Sequence, residues 1–422
     1  MNALTLALPS EKHWLKYALP TIVILAIVVR LVGSLILTDL ATKPEDDELV
    51  FTRIGWNMAS GVGYSANGED PTTWRPPAYP LLLTAIFSVV GQNWVIVRLI
   101  NILLSALTIV VLYMIGAKLF NKNVGLIAAL IAAVYPAFIR LSLLMYSETL
   151  YVLLVSLVLV TFVKIYDDPQ SLKLKITAGV LLGLAILTRS ELLFFMPFVG
   201  LWALLFYRRL LPAVRVAFII ALPAILVVLP WLIRNYIVFD RPVMATNLGF
   251  LLWGVHNPET FSDNNLMGGH HLPEFKLVKN AGEVPRERWK PELTYLPEIE
   301  WDQVQTQWAL ESIRENIHLM PRMLVYKLHR LVFTPGAIRD LLRFPLVYLF
   351  FFGLILMLVS GDKRFLIFYM FILFAIFITL PFYTSERLRM VLDPTFIIVA
   401  SFGLSQQISL INKARQNNQL AL

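Results

Sequence analysis

The sequence contains no cysteine. That absence excludes a disulfide framework, a thiolate nucleophile and a sulfur-ligated metal centre, and leaves the redox compartment undetermined. Charge is scarce as well: 15% of the 422 residues are Asp, Glu, Lys or Arg, against 58% hydrophobic residues and a mean hydropathy of +0.69. A soluble chain of this size exposes far more charge, so the protein reads as a polytopic membrane protein. Neither a P-loop nor a Rossmann fingerprint occurs, which argues against a nucleotide-dependent reaction. The sequence also lacks internal repeats, low-complexity tracts and a linker to a separate soluble domain.

In their place, apolar runs of about 17 to 25 residues recur from end to end, without the period-two alternation of a membrane barrel. The expected fold is an all-α, polytopic bundle of about ten transmembrane helices. Their expected positions are residues 17–38, 93–118, 124–140, 143–165, 176–189, 191–207, 213–233, 343–360, 365–382 and 389–408. The first run, Tyr17 to Leu37, follows Lys12 and Lys16 and is too long for a signal-peptide core, so it is expected to stay as a helix. With the amino terminus cytoplasmic, the cytoplasmic turns receive Lys118 and Lys122, then Lys164, Lys173 and Lys175, then Arg208, Arg209 and Arg215. Lys363 with Arg364 and Lys413 with Arg415 continue the pattern, as the positive-inside bias requires. The same bias accounts for the net charge of +8 without nucleic acid, for which no motif is present.

The chain is thus expected to be a single membrane domain, 1–422, with both termini cytoplasmic and two polar outer segments, 39–92 and 234–342. The first reads as an acidic-fronted helix from Asp46 to Ser60, a break at Gly61, Gly63 and Gly68, and a short apolar helix from Tyr79 to Val90. The second carries Pro242, Pro258, Pro273, Pro285, Pro291 and Pro297, then a helix from Trp301 to His318. It closes in Pro321 to Phe333, where apolar and basic residues alternate as in a helix lying in the membrane interface.

Four carboxylates in the run Glu45-Asp46-Asp47-Glu48 stand just past the first apolar stretch. Acids there stabilise the exposed amides and positive dipole end of a helix, but one or two would suffice; a run of them points to function. Glu148, in Tyr146-Ser147-Glu148, falls in the first turns of an expected span, where a carboxylate needs a wet cavity or an arginine partner. Arg30, Arg75, Arg140, Arg189, Arg234, Arg387 and Arg389 all fall toward the outer side, against the orientation bias. Single arginines can snorkel to lipid phosphates, whereas a ring of them around a cavity suits an anionic head group. His256, His270 and His271 lie in the large loop and are read as solvated, because adjacent histidines without a third ligand make a weak metal signal. Acid plus arginine points to a general base beside a phosphate leaving group.

Several stretches together resemble the GT-C superfamily of integral membrane glycosyltransferases. They are Asp47-Glu48, Trp74-Arg75-Pro76-Pro77-Ala78-Tyr79-Pro80-Leu81, Tyr146-Ser147-Glu148-Thr149-Leu150, Leu187-Thr188-Arg189 and Pro230-Trp231-Leu232-Ile233-Arg234-Asn235-Tyr236. The branch is similar to the dolichyl-phosphate-mannose protein mannosyltransferases and the aminoarabinose transferases of lipid A. The resemblance implies inverting transfer from a polyprenyl-phosphate sugar donor to a lipid, glycan or protein acceptor, on the non-cytoplasmic face of a bacterial plasma membrane. It makes Asp47 the general base, Glu148 a second acid orienting acceptor or donor, and Arg75 a partner of the lipid phosphate. Glu48, Tyr79, Arg140, Arg189, Arg234 and Arg387 complete the expected substrate-binding set. No cofactor is expected to be required; a divalent cation could replace one arginine, but no ligand cluster calls for it. Phe51 departs from the family, whose members often carry a tyrosine near that place. Two other readings remain open at this point: a flippase or transporter, and a ligase or polymerase moving whole lipid-linked oligosaccharides.

Overall fold

The computed structural model describes residues 15–264, 266–272, 275–278, 282–285, 296–333, 337–382 and 386–420. Lys12, Pro273 and Pro291 lie outside them. Helix α1 (Leu15–Leu37) leads into the first loop, which holds α2 (Asp46–Ala59) and α3 (Ala78–Val90). There follow α4 (Trp94–Leu119), α5 (Lys122–Val134), α6 (Pro136–Ser142), α7 (Glu148–Asp167), α8 (Leu172–Thr188), α9 (Met196–Tyr207, after a 3-10 turn Ser190–Phe195) and α10 (Leu210–Phe239). The large loop contains α11 (Leu248–Trp253), α12 (Pro258–Ser262), α13 (Glu298–Glu315) and α14 (Met320–Val332). It also holds a short antiparallel hairpin, β1 (Phe275–Val278) with β2 (Gly282–Pro285), in which Phe275 faces Pro285. The chain ends with α15 (Ala337–Ser360), α16 (Leu366–Thr379), α17 (Glu386–Arg389) and α18 (Asp393–Leu420).

Among the described residues, six helices are long and apolar enough to cross a membrane, or seven if α5 and α6 form one bent span. The expected count of ten is not confirmed among the described residues: at two of the expected positions α8 has 17 residues and α16 has 14, short for a span alone. The α5–α6 break has a local cause. Pro136 has no N–H to donate and disfavours helical ψ at Tyr135, which sits at φ −68, ψ 116, and the helices bend by 55°. Carbonyls freed at the break are taken by Arg30, a buried arginine of α1: its Nη1 donates to Ala133 O (3.0 Å) and its Nη2 to Ala132 O (3.5 Å). Ser105 Oγ accepts from its Nε at 3.0 Å. Arg30 therefore caps a broken helix instead of joining the other arginines, and its charge is compatible with an apolar bundle because its donors are occupied.

Helix α7 is the central span, 78% of its apolar window buried, while α1 and α10 are peripheral at 17% and 28%. Small residues bring neighbouring backbones together. A side chain at Gly179 of α8 would come within 2.1 Å of Ile220 O on α10, and one at Gly183 within 2.8 Å of Ala224 O. One end of the bundle carries both long loops. There Asn93 caps α4, its side chain accepting from Ile96 N at 3.1 Å, and a small apolar core of Phe51, Tyr79, Leu83, Phe87, Val97 and Met145 seats α2 and α3.

Candidate active site

The first turn of α2 separates its acids. Successive helical residues point about 100° apart, so Asp47 and Glu48 face different surroundings. Asp47 lines a cavity of about 400 Å³ at the loop end of the bundle. Glu48 turns inward and is buried: its Oε1 accepts from Met145 N at 2.7 Å and its Oε2 lies 3.6 Å from Arg98 Nη2. Arg98 in turn donates to the carbonyls of Leu40, Thr42 and Leu143 at 2.7 to 2.8 Å. This buried pair ties the loop entry to α4 and the segment before α7.

Asp47 begins a row of alternating charges. One of its oxygens pairs with Arg75, whose guanidinium also lies over the Phe51 ring, 5.1 Å from its centroid. The other accepts from Arg387 Nη1 at 2.5 Å, and the Nε of the same arginine binds Glu148 Oε1. Glu148, fully buried at the start of α7, also meets Arg189 Nη1 at 2.9 Å, and Arg189 Nε donates to Glu191 Oε1 at 2.5 Å. Three arginines and three carboxylates thus run Arg75, Asp47, Arg387, Glu148, Arg189, Glu191. All except Glu148 line the cavity. Burial by itself would raise the pKa of Asp47, but Arg75 and Arg387 beside it more than offset that and hold its carboxyl below the ordinary value.

Two acids of α13 fix the cavity walls. Glu298 accepts from Thr72 Oγ1 (2.6 Å), Thr73 N (2.9 Å) and the Thr246 hydroxyl, so one carboxylate joins the Trp74-Arg75 segment to the residues before α11. Asp302 Oδ1 accepts from Gly249 N at 2.6 Å. Burial pushes the Asp302 carboxyl up to about 6.

The remaining expected residues sit outside the cavity lining. Tyr79 is buried in the α2–α3 core, its hydroxyl accepting from Asn101 Nδ2 at 3.0 Å. Arg140 is half-buried in α6. Arg234 lies within α10, which runs past the expected helix end; its Nη1 donates to Thr72 O at 2.8 Å, and Trp231, Tyr64 and Phe239 surround it at 5.0 to 5.3 Å. The histidines do not form a solvated group. His256 is fully buried with Nε2 3.2 Å from Lys327 Nζ, its pKa lowered to about 3 by burial and by that lysine. His270 lines the cavity, and His271 is part-exposed and pairs with Glu259 at 2.6 Å. Sequence reasoning passed over Trp74, Glu191, Phe250 and His270 as cavity residues; Trp74 and Glu191 carried a signal, the first adjoining Arg75 and the second two residues past Arg189. No group of three or more His, Asp or Glu side chains placed to hold a metal occurs among the described residues.

Residues 74–233 match the family described as dolichyl-phosphate-mannose-protein mannosyltransferase. No curated protein sequence matches the chain. Among solved structures, the chain is similar to the archaeal oligosaccharyltransferase AglB from Archaeoglobus fulgidus in complex with an inhibitory peptide and a dolichol-phosphate. The TM-score is 0.54 at 14% identity, over 97% of this chain and 52% of that one. The apo form of the A. fulgidus enzyme gives 0.55 at 14%, with the same coverage. ArnT from Cupriavidus metallidurans bound to undecaprenyl phosphate aligns over 96% of this chain and 80% of its own, at 16% identity and a TM-score of 0.41. The chain spans about half the length of the AglB structures it matches. It is a multi-pass membrane protein with the GT-C fold, matched over residues 74–233 to a mannosyltransferase family of that superfamily.

Proposed function

We propose that this protein transfers a sugar from a polyprenyl-phosphate donor to an acceptor hydroxyl on the non-cytoplasmic face of the membrane. The observation that carries this reading is the placement of Asp47 with Arg75, Arg189 and Arg387 around one cavity at the end of an apolar bundle. The donor's lipid tail stays among the apolar helices, which brings its phosphate to the arginines. The acceptor oxygen attacks the anomeric carbon while Asp47 takes its proton; the carbon–oxygen bond to phosphate breaks, and the electron pair leaves with the polyprenyl phosphate. Arg75, Arg189 and Arg387 stabilise the charge that develops on the departing oxygen. Glu148 keeps Arg189 and Arg387 aimed at that place.

In this reading the arginines do the neutralising that a divalent cation does elsewhere. A cavity of about 400 Å³ is at the small end of ligand sites and suits one sugar better than an oligosaccharide. The acceptor class, whether lipid, glycan or protein, follows from which hydroxyl can enter beside Asp47.

The test is transfer of labelled sugar from polyprenyl-phosphate donors into membrane acceptors, with the intact protein and with Asp47→Asn at equal expression. The substitution keeps shape and removes the base, so a loss of about 100-fold or more is expected, with donor binding retained and EDTA without effect. Equal transfer by the two proteins would remove Asp47 as the base. Absence of transfer from every donor by the intact protein would favour the transporter and ligase readings.

A further inference from the structure

The charged row covers only part of the cavity. Another part is aromatic: Trp74 and Phe250 meet edge to face with centroids 5.5 Å apart, and Phe250 meets the His270 ring at 5.1 Å. All three line the cavity and are only half-buried, so ring surface faces the same space as the charged row. Burial lowers the His270 pKa to about 4, which keeps its imidazole neutral at physiological pH. This patch therefore has no charge to offer a phosphate, yet it has ring surface.

Its rings are also held from behind. Gly249 lets α11 sit against α13, where any side chain would come within 2.1 Å of Asp302 O, and Asp302 holds the Gly249 amide; Phe250 is the next residue. Trp74 follows the two threonines bound by Glu298, and its own N–H donates to Thr72 Oγ1 at 3.0 Å. His270 fits over Gly254, where an added Cβ would fall 2.2 Å from the ring. Ring surface fixed in this way costs little conformational entropy when a ligand covers it.

Resting on the proposed transfer reaction, we infer that Trp74, Phe250 and His270 form the subsite for the sugar ring of the donor, and that the ring it takes is an uncharged one. The apolar face of a pyranose or furanose, made of C–H groups, stacks on the aromatic surface that Trp74, Phe250 and the His270 ring present. The phosphate then lies on the arginine side. A sugar bearing a carboxylate meets no cation on this patch and is disfavoured.

The experiment compares binding of two probes to the purified full chain: undecaprenyl phosphate, and undecaprenyl phosphate carrying a single neutral hexose. Phe250→Ala and Trp74→Ala are each expected to weaken the sugar-bearing lipid by about tenfold, roughly 1.4 kcal/mol, and to leave bare lipid phosphate within about twofold. Phe250→Tyr, which keeps the ring and the fold, is expected to bind both probes as the unaltered chain does. Equal weakening of both probes, or of neither, overturns the sugar subsite while leaving the transfer reaction standing. If the unaltered chain binds neither probe, the transfer reaction itself falls, and the subsite with it.

Discussion

Asp47 is held too tightly to be a strong base while Arg75 and Arg387 both bind it. In the proposed reaction a donor phosphate competes for those same arginines. As one of them turns to the phosphate, Asp47 loses a neighbouring cation and its pKa rises, so the base strengthens when the substrate is in place. The sign is testable. For a depressed carboxyl, the active ionised form persists below the usual value in the free protein, so the acid limb of kcat/KM should lie below about pH 4. The acid limb of kcat, which reports the donor complex, should lie at higher pH; coincident limbs would mean the ion pairs persist through turnover. How legible these residues are in the sequence differs sharply between neighbours. The acidic run stood out in a charge-poor chain, but its two central members part ways, and Glu48 became a buried anchor for Met145 and Arg98. Only the direction of a side chain separates them, and that depends on where α2 begins. His270 and Phe250 were harder still, since nothing local marks a ring that reaches a distant cavity through the packing of α11 on α13.

At the scale of elements, α13 matters most to the cavity although it is polar and lies outside the bundle. Its first turns supply Glu298 and Asp302, which strap the Trp74-Arg75 segment and α11 in place. Because the Asp302 pKa is raised, to about 6, the folded state holds its proton more tightly than the unfolded chain does. Stability from this group is therefore greatest below the unfolded value and falls as pH rises through the folded one. Asp302→Asn is expected to flatten the decline in melting temperature between about pH 4 and about pH 7, since the amide keeps an acceptor for Gly249 N without titrating. An unchanged slope would place the titration elsewhere. Helices were the most legible elements, because apolar runs of spanning length leave few other structures open in a membrane. Their ends were less so: α10 runs on through Arg234 to Phe239, and the apolar run at 124–140 breaks at Pro136. That proline was visible, but the arginine that makes the break tolerable comes from another helix.

For the molecule as a whole, membrane class and GT-C fold were legible from composition and motif order, while the cavity was not. Its walls come from α2, the Trp74-Arg75 loop, the α8–α9 turn, α11 and α17, which are scattered from residue 47 to residue 387. No periodicity in the chain records that meeting. Orientation can be read directly because no native thiol competes. Single cysteines at Glu69, exposed in the first loop, and at Gln170, exposed between α7 and α8, report opposite ends of the bundle. A membrane-impermeant maleimide applied to intact cells is expected to label the first and spare the second. The reverse pattern would put the cavity in the cytoplasm.

The alternating row of arginines and carboxylates carries no net formal charge. At rest the site is electrically silent, and a dissolved anion gains little by entering, since it must displace a carboxylate already seated on each guanidinium. A phosphate anchored by its own hydrocarbon tail is confined to the membrane beside the cavity, so its effective concentration there is far above that of any solute. Discrimination between tethered and free phosphate then needs no dedicated gate. It follows from the arginines being occupied before the substrate arrives.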